Sequence, residues 1–275
     1  LLGNGSDELI QMIIMVLGGP ARPVLAPEPT FGMYRINAEV LGSPFVGVPL
    51  LDRFAIDRAA LLSAIKVHDP GCIFLAYPNN PTGNLFERET IEAAIDAANG
   101  LVIIDEAYHH FVDDPEYATS VPYVLEGRKV IIARTFSKIY GMAGLRLGYA
   151  IASPEMIREM DPYQVSSINA LVMWGGAASL ADPQEEKRRR DATIALRNKT
   201  AAELQAYGYD VIPSDTNFFM VHTGRPVQEV GPAFREHGVL VGRPFPPMLE
   251  HLRVSIGTEE EMGRELERMA EAVFR

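Results

Sequence analysis

The chain has 275 residues, of which 47% are apolar and 22% are charged, a composition typical of a folded globular protein. Its 25 basic and 36 acidic residues give a formal net charge of -11, which repels the phosphates of nucleic acids and the head groups of anionic lipids. The composition therefore argues against a disordered chain, a nucleic-acid-binding protein and a protein held at an anionic membrane.

The apolar runs and the cysteine content both indicate a soluble protein. The run at residues 9–17 is interrupted by Gln11 and is far shorter than the ~20 residues that a membrane-spanning helix needs. The single cysteine, Cys72, lies in an apolar run and cannot form an internal disulfide, so we expect it in the core of a cytoplasmic protein. The chain starts at Leu1 on what resembles a functional turn, and we expect that an amino-terminal segment is missing.

Apolar runs bounded by turn residues alternate with helical periodicity through the first two thirds of the chain. This alternation is typical of a parallel sheet covered by helices. In chain order, the pattern predicts a helix at 6–17, strands at 23–26 and 45–49, a helix at 57–66, a strand at 72–76, a helix at 87–98, strands at 101–104, 130–133 and 147–151, and a helix at 154–160.

From about residue 182 the pattern changes to a long polar helix followed by short strands. We predict these strands at 218–221, 239–241 and 252–255, and a closing helix at 259–274. The sequence therefore predicts an α/β protein. Its large domain, residues 1–182, has three layers around a mostly parallel sheet, and a smaller carboxyl-terminal α+β domain covers residues 183–275.

Short polar motifs follow three of the predicted strands, where open α/β sheets bind their ligands. Together they bring an amide, a carboxylate, a phenol and an amine to one crevice. The amine belongs to Lys138, which alone among the five lysines follows a strand end, and a buried lysine commonly serves to form a Schiff base with an aldehyde cofactor. The motifs are Asn80-Pro81-Thr82-Gly83, Asp105-Glu106-Ala107-Tyr108 and Ser137-Lys138.

These motifs, in this order and followed by Ala143-Gly144-Leu145-Arg146, resemble the signature of the class I and II aminotransferases, enzymes of fold type I that use pyridoxal 5'-phosphate (PLP). Two further segments are most similar to those of histidinol-phosphate aminotransferases. They are Phe31-Gly32-Met33-Tyr34 and Leu252-Arg253-Val254-Ser255-Ile256-Gly257. The similarity runs from residue 3 to about residue 260.

The resemblance implies that PLP is the cofactor and that Lys138 holds it as an imine. Once the substrate has displaced it, Lys138 would move a proton at the substrate Cα. Asp105 would pair with the pyridine nitrogen, while Asn80 and Tyr108 would hydrogen-bond the oxygen on the ring. Phe31 would stack on the ring.

The resemblance also implies which groups bind the cofactor phosphate. Gly5, Ser6 and Asp7 begin a predicted helix, whose free N–H groups and dipole favour an anion. Ser137 would add a hydroxyl, and Arg146 would add a guanidinium that can donate two hydrogen bonds at once.

Two arginines are the candidates for substrate binding. The resemblance implies that Arg253, with Asn80 beside it, clamps the α-carboxylate of the substrate or its counterpart. Arg243 is a candidate for the far end of the donor, although a surface pair with an acidic neighbour is an equally good interpretation. The family usually has Tyr at the position of Phe31 and a plainer loop than the proline-rich residues 241–248, so an L-amino acid stands beside histidinol phosphate as a candidate donor.

The resemblance implies amino-group transfer to a 2-oxo acid, in a homodimer with active sites at the subunit interface. A PLP-dependent lyase or decarboxylase of this fold is one alternative, although a carboxylate clamped by Arg253 lies in the plane of the ring, which disfavours its loss. A non-catalytic PLP-binding module is another, but no segment resembles a DNA-binding domain. A dinucleotide-binding dehydrogenase would need G-x-G-x-x-G where Pro27-Glu28-Pro29-Thr30 stands.

Several of these residues also have simpler interpretations. Asp105 alone is compatible with a helix cap or a metal ligand, and Asn80 with a common turn. Phe31 is compatible with a core position, and Ser6 with a helix cap only. His109 and its neighbour His110 are interpreted as structural, and since no group of histidines has metal-ligand spacing, no metal is predicted.

Overall fold

The computed structural model of the chain describes residues 1–263. Within them the chain forms two β-sheets, and helices pack around both. The strands are β1 (Leu2–Gly3), β2 (Val24–Glu28), β3 (Phe45–Pro49), β4 (Cys72–Ala76), β5 (Leu101–Asp105), β6 (Val130–Thr135), β7 (Gly148–Ile151), β8 (Asp210–Ile212), β9 (Phe218–His222) and β10 (His251–Ser255). The α-helices are α1 (Ser6–Leu17), α2 (Met33–Val40), α3 (Arg58–His68), α4 (Arg88–Ala97), α5 (Val121–Leu125), α6 (Pro154–Met160), α7 (Ala170–Leu180), α8 (Pro183–Ala206) and α9 (Val227–Glu236).

The larger sheet has seven strands in the order β1-β7-β6-β5-β4-β2-β3. Strands β2 to β6 run parallel, whereas β7 and β1 are antiparallel to their neighbours at one edge. The predicted α/β fold with a mostly parallel sheet is confirmed. The smaller sheet is antiparallel, in the order β10-β9-β8, and its strands all follow α8. The domain boundary at residue 182 stays a prediction.

Strand β4 shows why the sheet is covered on both faces. All five of its residues are buried, and side chains alternate between the two faces of a strand. Phe74 belongs to the core cluster that includes Leu9 and Ile13 of α1, whereas Ile73 belongs to the opposite cluster with Leu61 of α3. The continuous apolar sequence of β4 is therefore what a strand between two helix layers requires.

The helices start at residues that the sequence marks. Asp57 caps α3 by accepting a hydrogen bond from the Ala60 N–H at 3.0 Å, and Ser153 caps α6 in the same way. Helix α1 differs, because it follows Gly5 and no side chain caps it. Gly5 has a φ of 82°, a conformation that glycine adopts without strain.

Most predicted elements agree with the structure within two residues at each end, but one predicted strand is wrong. Residues 239–241 form no strand, and they lie between Gly238 and the irregular segment Gly242-Arg243-Pro244. Val239 is apolar because it packs into the core of the smaller sheet, not because it pairs with a strand. The sequence also missed α2, α5, α7, α9, β1 and β8. Of the predicted helix 259–274, residues 259–263 are helical and the rest lies outside the described residues.

No helix among residues 1–263 has both the length and the apolar character that are needed to cross a membrane. Cys72 is fully buried at the start of β4, as predicted, and burial raises the pKa of its thiol to about 12. At neutral pH this cysteine is therefore a protonated core residue.

Candidate active site

The carboxyl ends of β4, β5 and β6 meet at a partly open cavity of about 160 Å³. Its wall also includes the start of α1 and the segment before α2. Nine of the residues predicted for the site line this cavity: Ser6, Asp7, Phe31, Asn80, Asp105, Tyr108, Ser137, Lys138 and Arg146. The structure therefore brings together in one place what the sequence placed at separate strand ends.

Asp105, the last residue of β5, is the buried carboxylate of the cavity and is only 5% exposed. It accepts hydrogen bonds from the Tyr34 hydroxyl at 2.8 Å and from the Ala107 N–H at 3.1 Å. Burial raises the pKa of Asp105, while these two donors and the nearby Lys138 ammonium lower it in part. The carboxylate is thus fixed in orientation, and its charge has three stabilising neighbours.

Lys138 lies after β6 with its Nζ 5.0 Å from the centre of the Tyr108 ring. Tyr108 is 6% exposed and packs edge-on against Phe218 of the smaller sheet, with ring centres 5.2 Å apart. The ammonium, the phenol ring and the Asp105 carboxylate therefore surround one small volume.

Arg146 lines the opposite end of the cavity, and Gly5, which does not itself line the cavity, lies against this guanidinium. A Cβ atom at Gly5 would lie 2.7 Å from the Arg146 Cζ, so only glycine lets this guanidinium approach the helix start. Arg146 donates to the Asp7 carboxylate at 2.8 Å, and both side chains are almost half exposed. The Ser137 hydroxyl lies next to Thr135, whose Oγ1 donates to it at 2.9 Å. This end presents hydroxyls, a guanidinium and uncapped backbone N–H groups.

A larger cavity of about 820 Å³ borders the first and shares Phe31, Asn80, Tyr108 and Lys138 with it. Arg253, on β10, lines this cavity and donates from Nη1 to the Asn80 Oδ1 at 2.9 Å. Burial lowers the pKa of Arg253, and the neighbouring Arg243 lowers it further. The two predicted substrate-binding arginines are thus together in the cavity next to Lys138.

Arg243 is exposed, with its Cζ 4.6 Å from the centre of the Phe245 ring. It forms no ion pair with any residue between 1 and 263, so the alternative of a surface pair with an acidic neighbour is not seen there.

The structure also bears on the simpler interpretations of single residues. Ser6 is the first residue of α1 and makes no capping hydrogen bond, so the interpretation as a helix cap is wrong. Asp105 caps no helix, and residues 1–263 contain no cluster of three His, Cys, Asp or Glu side chains around it or elsewhere. His109 and His110 pack against each other with ring centres 3.7 Å apart, and burial lowers their pKa values to about 4 and about 3. Both are therefore neutral at pH 7.

The donor set of the smaller cavity fits PLP. An amine for the aldehyde, a carboxylate for the ring nitrogen and donors for the phosphate lie around one cavity, and Gly5 leaves room at the phosphate end. The Asp105 carboxylate is buried without a cationic side chain hydrogen-bonded to it, so a protonated ring nitrogen would complete its neutralisation.

Comparison with known proteins identifies the family. Residues 1–269 match the sequence model of Aminotransferase class I and II. The chain belongs to this family. It is 39% identical to histidinol-phosphate aminotransferase 2 of Nitrosococcus oceani over 267 residues, which cover 95% of this chain and 73% of that protein.

Solved structures agree with this assignment. A crystal structure from Erwinia carotovora atroseptica matches with a TM-score of 0.94 and 33% identity, over 98% of this chain and 80% of that one. Histidinol-phosphate aminotransferase from Sinorhizobium meliloti, in complex with pyridoxal-5'-phosphate, matches with a TM-score of 0.88 and 25% identity, over 100% of this chain and 76% of that one. The protein is a PLP-dependent aminotransferase, and its substrates are an amino donor and a 2-oxo acid.

Tyr34 was not predicted as a site residue, although it lies in the segment Phe31-Gly32-Met33-Tyr34 that resembles the family. Tyr34 is fully buried, stacks on Phe74 with ring centres 4.5 Å apart and meets the edge of the Phe31 ring at 5.6 Å. Burial and the Asp105 carboxylate raise the pKa of its hydroxyl well above the usual range, so it remains a donor. The spacing of Phe31 and Tyr34, three residues apart on one side of a helical turn, was the available signal.

Replacing Tyr34 by phenylalanine should raise the pKa of Asp105 further. The change removes the hydroxyl that stabilises the ionised carboxylate and keeps the ring that packs on Phe74, so the carboxyl group binds its proton more tightly. A carbon-13 NMR titration of the cofactor-free protein measures this pKa, with Asp105→Asn identifying the signal. The transamination half-reaction should slow about tenfold, since a hydrogen bond to a charged group contributes ~1.5–3 kcal/mol.

Tyr117→Phe is the matched control for this experiment. The Tyr117 hydroxyl is also buried, but it has no hydrogen-bond partner among the described residues. Its loss should leave the Asp105 titration unchanged. An Asp105 pKa that is the same in Tyr34→Phe and wild type would contradict the prediction.

Proposed function

We propose that this aminotransferase transfers the amino group of histidinol phosphate to a 2-oxo acid. The observation that supports this donor is the arginine pair of the larger cavity, where Arg253 lies beside Asn80 and Arg243 is open to solvent. In histidinol phosphate the phosphate is carried on a CH2–O group that takes the position of an amino acid's α-carboxylate, so it reaches farther from Cα and needs a cation that no carboxylate of residues 1–263 neutralises. The name of the Nitrosococcus oceani relative supports the same donor.

An L-amino acid is the second candidate donor. The partly buried guanidinium of Arg253 suits an α-carboxylate, because burial strengthens the attraction between the two charges. Phe31 offers no hydroxyl to a donor phosphate, and the proline-rich residues 241–248 surround Arg243 with apolar side chains. Both features suit a donor with an apolar side chain.

PLP, when bound, supplies the aldehyde that takes up the amino group and a ring that stabilises negative charge at the substrate Cα. We assign Lys138 as the amine that holds the cofactor and then moves the proton at Cα, because its Nζ lies at the junction of the two cavities. Asp105 would keep the ring nitrogen protonated. Tyr34 and the Ala107 N–H fix the carboxylate for this task.

We assign Asn80 and Tyr108 to the oxygen on the cofactor ring. The Asn80 Oδ1 already accepts from Arg253, so its amide N–H groups remain to donate to that oxygen. Phe31 lines both cavities and is therefore placed to cover one face of the ring.

The phosphate of the cofactor is assigned to the start of α1 together with Ser137 and Arg146. The N–H groups after Gly5, at Ser6 and Asp7, have no side-chain cap, and free N–H groups at a helix start favour an anion. Arg146 is paired with the Asp7 carboxylate, so a bound phosphate would share this guanidinium with Asp7 or replace it as the partner.

We propose further that two copies of the chain form a homodimer, and we keep a cytoplasmic location as a prediction. An apolar surface on and before α7 supports a dimer: Val165, Leu171 and Trp174 are 81%, 79% and 76% exposed. A monomer rarely leaves several large apolar side chains together in water. A second copy would cover this surface.

Purified protein should carry cofactor that borohydride fixes to Lys138. Lys138→Ala should lose this label, because the other lysines are not in the cavity. Peptide mapping of the reduced protein locates it. Lys129→Ala is the control, since this exposed lysine contacts the Asn99 carbonyl outside the site and should keep full labelling. A label on Lys129 or on any lysine other than Lys138 would rule the assignment out.

Substrate choice should separate the two arginines. Arg243→Ala should raise the KM for histidinol phosphate about tenfold or more and leave that for alanine unchanged, since an ionic hydrogen bond contributes ~1.5–3 kcal/mol. Arg253→Ala should raise the KM for every donor with an α-carboxylate. Steady-state kinetics with histidinol phosphate, phenylalanine, glutamate and alanine measures both effects.

Arg225→Ala is the control for both variants, since Arg225 is exposed and lies outside both cavities. It should not change the kinetics. If Arg243→Ala alters all donors equally, its role at the far end of the donor is wrong. If the wild-type enzyme does not use histidinol phosphate, an L-amino acid becomes the donor.

Trp174→Glu should convert the dimer into a monomer, because a charge buried against the second copy would have no partner. Light scattering after size-exclusion chromatography measures the mass. Leu125→Glu places the same charge at a residue that is 81% exposed but lies on α5, and it should leave the mass unchanged. A monomeric wild type, or a dimeric Trp174→Glu, would disprove the proposed interface.

A further inference from the structure

Phe245 belongs to the proline-rich residues 241–248, which connect the end of α9 with β10. Its carbonyl accepts a hydrogen bond from the Met248 N–H at 2.7 Å, and the two residues form an isolated antiparallel bridge. Met248 is only 6% exposed, so its side chain anchors this turn in the protein. The turn places the half-buried ring of Phe245 in the wall of the 820 Å³ cavity.

The Phe245 ring contacts both arginines of the cavity. Its centre is 4.8 Å from the Arg253 Cζ and 4.6 Å from the Arg243 Cζ. A guanidinium at such a distance is attracted by the electrons of the ring, most strongly where water is excluded. The attraction offsets part of the repulsion between two like charges that share the ring.

Arg253 has two further contacts that limit its movement. Its Cζ is 4.8 Å from the centre of the Phe218 ring, and its Nη1 donates to Asn80. Phe218 is 2% exposed in β9, where the core fixes it, whereas Phe245 lies on a turn at the surface of the cavity. A guanidinium donates only in its plane, so rings that contact it leave the N–H groups to face a carboxylate.

We propose that Phe245 is a positioning residue for the carboxylate site. It holds the Arg253 guanidinium in the orientation that binds a substrate carboxylate and keeps Arg253 and Arg243 close to each other in one cavity. The inference depends on the proposed role of Arg253. Through Phe245, the turn at residues 245–248 thus acts on both arginines: on Arg253, which binds the α-carboxylate, and on Arg243, which faces the far end of the donor.

A pair of amines that differ only in the carboxylate tests this role. L-alanine and ethylamine are each reacted in single turnovers with the PLP-loaded enzyme, and the ratio of their second-order rate constants measures carboxylate recognition. Phe245→Leu keeps an apolar side chain and loses the aromatic ring, so the ratio should fall about tenfold. Phe245→Tyr keeps a ring and should keep the ratio. A general loss of fold or cofactor lowers both rate constants and leaves the ratio unchanged.

A double-mutant cycle shows whether Phe245 acts through Arg253. Arg253→Ala should lower the ratio more than Phe245→Leu, and adding Phe245→Leu to Arg253→Ala should have no further effect. A ratio that is unchanged in Phe245→Leu, or that falls equally with and without Arg253, overturns the inference. If Arg253→Ala itself leaves the ratio unchanged, the proposed carboxylate clamp fails, and the inference fails with it. Borohydride labelling of Lys138 in each variant tests the attachment of the cofactor separately.

Discussion

The pairing of three parallel strands fixes the position of the chemical groups. Ala76 at the end of β4 pairs with Asp105 at the end of β5, and Asp105 pairs with Ala133 of β6. Their side chains alternate between two core clusters, so a shift of one residue would move every apolar side chain to the wrong face. The same packing that stabilises the sheet therefore keeps the Asp105 carboxylate in the cavity.

A buried ion pair joins two of these strand ends. Glu106 is fully buried, and Arg134 of β6 donates to it from Nη2 at 2.7 Å and from Nε at 3.0 Å. The Ser120 N–H adds a third hydrogen bond at 2.6 Å. A buried carboxylate is tolerated only with such partners, and removing one would leave an uncompensated charge. Because Glu106 directly follows Asp105 in the chain and Arg134 lies shortly before Lys138, this ion pair links the two segments that carry Asp105 and Lys138.

The sequence could predict the sheet and the residues at its strand ends, because both depend on short-range patterns. The apolar runs of β4 and β5 and the polar motifs that follow them are visible without any knowledge of distant contacts. Tyr34 was missed because its role depends on Asp105, 71 residues away, and Phe245 because its role depends on two arginines in different segments. The prediction of a strand at residues 239–241 was wrong for the same reason, because an apolar run does not reveal whether another strand lies beside it to pair with.

The two walls of the site differ in how firmly the fold holds them. The Asp105 wall consists of buried strands, and its geometry is set by the core and the Glu106 pair. The opposite wall consists of Arg253, on a strand of the smaller sheet, and of the turn that carries Phe245. Arg253 joins the two walls through its hydrogen bond to Asn80. The role proposed for Phe245 therefore predicts that substitutions in the turn change what the cavity binds and leave the register of β4, β5 and β6 untouched. Under the roles proposed for Lys138, Asp105 and Arg253, cofactor chemistry and donor selection are therefore separable in this fold, and Arg253 is the residue at which they meet.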